Sequence, residues 1–120
     1  MKILFLCLFG KDRSGTAAEL YHGFYGVEAK HGGVHAKAHT PVTWGMIQWA
    51  EIIICMESGH RTKLRELFPE LSAVRVRCLD IPNVYEKGST RLKEHIVRAM
   101  RKKFPNVPAP LLDLNETEAP

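Results

Sequence analysis

The chain has 120 residues, 45% hydrophobic and 25% charged, with a formal net charge of +4. That is enough for one packed core and too ordinary a composition for a disordered, collagenous or membrane-embedded chain. The positive balance suits anionic partners, but no stripe of basic and aromatic side chains speaks for nucleic acid.

The first element is the apolar run over residues 2–8, the pattern of a parallel strand buried on both faces. From Ile3 to Phe9 it is too short for a translocated segment or a membrane span, and Lys11, Asp12 and Arg13 follow at once. Cys7, Cys55 and Cys78 fit neither a disulfide framework nor a CxxC metal pattern, and unpaired thiols suit a reducing compartment. The expected setting is cytoplasmic, with no membrane partner.

After a short polar loop, Ser14 is the expected N-cap of a helix through Thr16, Ala17, Ala18 and Tyr21, which Gly23 and Gly26 end. Val27 to Lys30 predicts a short second strand, and residues 31–41 a connecting loop. His31, His35 and His39 recur every four residues there. Gly32, Gly33 and Pro41 argue against a helix, and no cysteine or carboxylate accompanies them, so no metal site is expected.

Val42 to Trp49 predicts a short helix with Trp44 and Ile47 inward. Glu51 to Met56 predicts a buried third strand. Ser58 is the expected cap of a helix reaching about Phe68, and Pro69 marks its end. Val74 to Leu79 alternates like a half-exposed fourth strand, and residues 80–85 form a loop. Leu92, Ile96, Val97, Met100 and Phe104 recur at helical spacing over 89–104. Residues 105–120, proline-rich and then acidic, read as an extended or disordered tail behind a domain of residues 1–104.

Buried strands alternating with helices predict an α/β fold of three layers, a four-stranded parallel sheet flanked by helices. Ligands gather at the carboxyl ends of such strands, where the loops 8–13 and 80–85 would meet.

The first of these loops carries the chemistry. Cys7 ends the strand; Leu8, Phe9, Gly10, Lys11 and Asp12 intervene; Arg13 and Ser14 open the helix. Backbone N–H groups in a tight loop can converge on one anion, and the helix dipole adds positive potential. Arg13 can grip two oxygens of that anion side by side. The same field favours the thiolate form of Cys7, and Ser14 can donate a hydrogen bond to the sulfur. The charges of Lys11 and Asp12 are expected to point outward from an inward-facing backbone.

These residues resemble the low molecular weight protein tyrosine phosphatases. Lys2 to Cys7 looks like that family's opening strand and Arg13-Ser14-Gly15-Thr16-Ala17 like its loop exit. Trp49 to Glu57, with His60, is similar to its central strand and turn. Cys78-Leu79-Asp80-Ile81-Pro82-Asn83-Val84-Tyr85 looks like a short bacterial branch in which a Leu-Asp-Ile-Pro-Asp-x-Tyr segment stands. Together these cover roughly residues 1–100.

The resemblance implies hydrolysis of a phosphotyrosine protein or small aryl phosphate through a phosphocysteine on Cys7, with inorganic phosphate as product and no metal or cofactor. Residues Leu8 to Arg13 would hold the phosphate. The chain departs from the family in three places. Gly10 stands where an asparagine usually braces the loop, Asp12 lies inside the cradle, and Asn83 stands where the proton-donating aspartate aligns. Two roles stay open for Asp80, proton donor or loop brace, and two for Tyr85, flanking the substrate ring or packing on the last helix.

Two other readings share these features. A phosphate- or phosphopeptide-binding module without turnover would tolerate Asn83 and Asp12. An arsenate reductase of the same fold would need accessible resolving thiols, which Cys55 and Cys78, in or at the end of apolar runs, are poorly suited to supply.

Overall fold

Ile3, Leu4, Phe5 and Leu6 are all completely buried, because the strand that carries them lies inside the sheet with helices on both faces. The computed structural model describes residues 1–72 and 75–112. Its strands are β1 (Lys2–Cys7), β2 (Glu28–Gly33), β3 (Ile52–Cys55) and β4 (Val76–Cys78), and its helices α1 (Arg13–Tyr21), α2 (Trp44–Trp49), α3 (Ser58–Leu67) and α4 (Thr90–Lys103). The strands pair in parallel in the order β2-β1-β3-β4. This is the three-layer α/β arrangement expected.

Alternation along the strands sorts the core into two halves. Ile3, Phe5, Cys7, Ile54 and Met56 pack with Ala17 and Tyr21 of α1 and Leu92, Ile96 and Met100 of α4. Leu4, Leu6, Ile53 and Cys55 pack on the other face with Ile47 of α2 and Leu64 of α3. Each large side chain so buried contributes about 1.5–3 kcal/mol, so β1 anchors both halves.

Some local expectations are corrected. β2 runs on through Gly33 into the segment read as loop, because β1 offers a parallel partner for each residue to Cys7, which pairs with Gly33. The N-cap of α1 is Asp12, not Ser14, which lies inside the first turn. The N-cap of α3 is Glu57, one residue before Ser58: its carboxylate accepts the His60 N–H, and its own N–H donates to His60 Nδ1 at 3.1 Å. Trp44 stays 38% exposed and stacks on Phe68, leaving Ile47 as the buried residue of α2.

Ser89 caps α4 by accepting the Leu92 N–H at 3.3 Å. Beyond that helix, Val107 is buried and donates its N–H to the Phe104 carbonyl at 3.0 Å. Val74, assigned to the fourth strand, and the acidic end at 113–120 lie outside the described residues. Among the described residues no helix is long and apolar enough to cross a membrane.

The chain moves from β1 outward to β2, then returns to β3 on the other side of β1. The topological switch therefore falls between β1 and β3, and the segments leaving those two strands flank one crevice.

Candidate active site

Cys7 is the last residue of β1, and the carbonyls of residues 7–10 are all taken by the segment 31–39. The Cys7 carbonyl accepts the Val34 N–H at 3.0 Å, the Leu8 carbonyl the His35 N–H at 2.9 Å and the Phe9 carbonyl the His39 N–H at 3.0 Å. The Gly10 carbonyl bonds His31 Nδ1 at 2.7 Å; a carbonyl only accepts, so that nitrogen carries the proton.

In a trans peptide the N–H points away from its own carbonyl. Drawing these four carbonyls toward residues 31–39 therefore turns the N–H groups of Leu8, Phe9, Gly10 and Lys11 the other way. Among the described residues no backbone acceptor takes them. A cavity of about 230 Å³ is lined by Cys7, Leu8, Phe9, Lys11, Asp12, Arg13 and Asn83. Converging amides at the start of a helix are a site for an anion.

Gly10 makes the turn possible. Its φ is +70°, and a Cβ there would lie 2.5 Å from the Gly33 nitrogen. Bracing thus comes from direct backbone packing and from His31, with no side chain at position 10 required.

Behind the cavity lining, Cys7 Sγ lies 3.0 Å from Ser14 Oγ, and both residues are buried. Because Asp12 takes the cap position, the Ser14 hydroxyl is free to face the sulfur. Arg13 is 4% exposed. Its Nη1 donates to the Glu57 carboxylate and, at 2.7 Å, to the Ile81 carbonyl. Among the described residues no acceptor takes its Nε or Nη2, which leaves paired donors for a bound oxyanion.

Glu57 leaves β3 on the opposite side of the switch point, and β3 is in register with β1, Cys55 beside Leu6. Burial, and then the Arg13 charge, push His60 down to about 4 against the opposing pull of Glu57. A neutral ring is what the cap needs, since His60 Nδ1 must accept the Glu57 N–H. In the sequence, Glu57 and His60 stand out only as part of a segment that resembles the family's central strand and turn. Their spacing of three before a helix was the available signal, disguised by a histidine where a capping box usually has Glu or Gln.

The second loop divides its candidates. Asn83 lines the cavity. Asp80 is not among the residues lining it: held at φ +62°, it gives its carboxylate to Lys103 Nζ at 2.7 Å, and the same ammonium donates to the Cys78 carbonyl at 2.8 Å. Tyr85 packs edge-on against His95 of α4 and hydrogen-bonds its Nδ1 at 3.1 Å, lining a separate groove with Arg91, Glu94 and Arg98. Lys11 is exposed and Asp12 partly so, with no side-chain cap bond. Cys55 and Cys78 pack on the sheet face opposite Cys7, and burial pushes both thiols up.

No family model and no curated protein matches the chain. Six solved chains do. A low molecular weight protein tyrosine phosphatase from T. tengcongensis superposes with a TM-score of 0.66 at 17% identity, over 82% of this chain and 92% of that one. The YwlE arginine phosphatase from Geobacillus stearothermophilus does so with a TM-score of 0.57 at 23% identity, over 84% of each chain. A mutant YwlE arginine phosphatase with a phosphorylated active-site serine covers 90% of this chain and 100% of its own, with a TM-score of 0.64 at 16% identity. At these identities what is shared is the fold, that of the low molecular weight protein tyrosine phosphatases.

Proposed function

We propose that this chain is a cysteine-dependent phosphomonoester hydrolase of the low molecular weight protein tyrosine phosphatase type, acting on a phosphotyrosine protein or a small aryl phosphate. One observation carries the reading: Cys7, the loop residues Leu8, Phe9, Lys11 and Asp12, and Arg13 line a single cavity, while the loop carbonyls are drawn away toward residues 31–39. Those amides and Arg13 balance a phosphate dianion without a metal or cofactor.

In the first step Cys7 Sγ attacks phosphorus, the P–O bond to the alcohol breaks and the phosphoryl group passes to sulfur. Water then attacks the phosphocysteine, the P–S bond breaks and inorganic phosphate leaves, with Ser14 Oγ, 3.0 Å away, stabilising the released thiolate. The phosphorylated active-site serine named for the structurally similar YwlE mutant supports a covalent step at this position. The unpaired thiols are consistent with a reducing, cytoplasmic setting in which Cys7 stays available.

Asn83 cannot donate a proton to a departing alkoxide. A missing general acid costs roughly 10²–10⁴-fold, so the first step relies on the leaving group. Phenolates leave far more readily than alkoxides, which favours aryl phosphates as substrates. The same residue favours a second reading, a phosphate- or phosphopeptide-binding module. A reductase of the same fold is disfavoured by the position of Cys55 and Cys78 across the sheet from Cys7.

Reduced protein assayed with p-nitrophenyl phosphate tests this. Turnover is expected, abolished in Cys7→Ser while vanadate binding persists. Binding with no turnover in the unsubstituted protein would select the binding module, and neither would overturn the cradle itself.

A further inference from the structure

Phe9 is a large aromatic residue in the loop leaving Cys7; it is 49% exposed, and it is one of the residues lining the cavity. Its neighbour Leu8 is 39% exposed and lines the same cavity. Leaving this much apolar surface in water is unfavourable, yet the backbone on both sides of it is fixed. The Phe9 carbonyl holds the His39 N–H at 3.0 Å, and the Leu8 carbonyl holds the His35 N–H at 2.9 Å. The ring itself rests on the His35 imidazole, with centroids 4.8 Å apart and planes at 39°. That imidazole is anchored in turn, accepting the Lys37 N–H on Nδ1 at 2.9 Å. Phe9 thus carries a half-exposed ring, held against His35, on a residue that lines the same cavity as Cys7 and Arg13.

We infer that Phe9, backed by His35, is the wall on which the substrate's leaving group stacks, so that this ring, and not Tyr85, sets the preference for a flat aromatic group. Tyr85 is committed to His95 and lines another groove. The residue that the second loop supplies to the cavity lining is Asn83, whose amide can border a ring without carrying charge. An aryl group bound over Phe9 buries its face against a preordered partner and loses little freedom that the protein has not already given up. A small alkyl group in the same place meets only the edge of that surface. The inference rests on the phosphatase reading for the anion cradle, and it adds the residue that distinguishes one phosphate ester from another.

The test separates the two. Dissociation constants of phenylphosphonate and methylphosphonate, neither of which can be hydrolysed, are measured on the reduced protein by calorimetry. Each is divided by that of inorganic phosphate, so that any general damage to the loop cancels. The unsubstituted protein is expected to prefer the phenyl compound. Phe9→Leu, which keeps an apolar side chain but removes the ring, is expected to narrow the phenyl-to-methyl ratio by about 3- to 10-fold, the range of an aromatic stacking contact. His35→Leu is expected to narrow it less, through loss of the backing ring. A ratio unchanged in Phe9→Leu overturns the inference even if the protein hydrolyses aryl phosphates well. Absence of phosphate binding in the unsubstituted protein overturns the cradle, and the wall with it.

Discussion

Gly10 and Gly33 touch backbone to backbone: a Cβ on Gly10 would lie 2.5 Å from the Gly33 nitrogen, and one on Gly33 would lie 2.6 Å from the Gly10 nitrogen. The loop that carries the N–H groups is thereby clamped to the end of β2. Gly33 needs no left-handed backbone, so its substitution tests close packing alone, against Gly10, Phe9 and Ala38 together. Gly33→Ala is expected to destabilise the fold by about 1–3 kcal/mol, as overpacking does, and to weaken phosphate binding. Gly45→Ala, where the nearest atom to the added Cβ is Thr43 Oγ1 at 3.8 Å, is expected to be neutral or to stabilise by up to about 1 kcal/mol through helix propensity. Urea denaturation and phosphate titration of both variants check this.

Glu57 holds Arg13 from across the switch point. Glu57→Gln keeps an acceptor for the His60 N–H but removes the charge opposite the guanidinium. Charge-assisted hydrogen bonds contribute about 1.5–3 kcal/mol, so a loss of about tenfold or more in kcat/KM is expected. Because on the proposed reading Arg13 would also grip the ground-state dianion, part of the loss belongs in KM and in the phosphate dissociation constant. A fall in kcat with both of these unaltered would count against the assignment.

His60 makes the fold sensitive to mild acid. Its folded pKa is about 4 against an ordinary 6.5, so the native state holds the ring neutral. Between these values the unfolded chain binds more protons than the folded one, and stability rises with pH. The contribution is fully present above about pH 6.5 and is lost as pH falls toward 4. Urea midpoints from pH 7 to pH 4 are expected to fall, and His60→Gln is expected to flatten that slope whatever it costs at pH 7.

The two candidates on the second loop should behave differently. Asp80→Asn breaks a largely exposed ion pair with Lys103, a loss of up to about 1 kcal/mol in stability, and is expected to change p-nitrophenyl phosphate turnover less than twofold. Asn83→Asp puts a carboxyl at the cavity and is expected to speed hydrolysis of phenyl phosphate, whose leaving group needs the proton, more than that of p-nitrophenyl phosphate. The full recovery would approach the 10²–10⁴-fold that a general acid supplies. Steady-state rates on both substrates, at matched pH, decide it.

Strand, loop and helix around Cys7 were legible because they are contiguous. An uninterrupted apolar run specifies a strand buried on both faces, and five intervening residues between Cys7 and Arg13 leave the chain little choice of path from strand end to helix start. The conformation of Gly10 and the pairing of Ser14 with the sulfur follow from that short span, although the cap itself fell to Asp12.

The partners of Arg13 are of another kind. Glu57 and the Ile81 carbonyl lie 44 and 68 positions away along the chain, and they reach the guanidinium only because β3 returns beside β1 in one particular parallel register. The choice between Asp80 and Asn83 was undecidable from spacing for the same reason. Three residues apart on one loop, the first gives its carboxylate to Lys103 at the end of α4, and the second lines the cavity. Cys7, Arg13 and Ser14 were written in local order; what grips the arginine, and which residue of the second loop lines the cavity, came from contacts that exist only once the sheet has closed around its switch point.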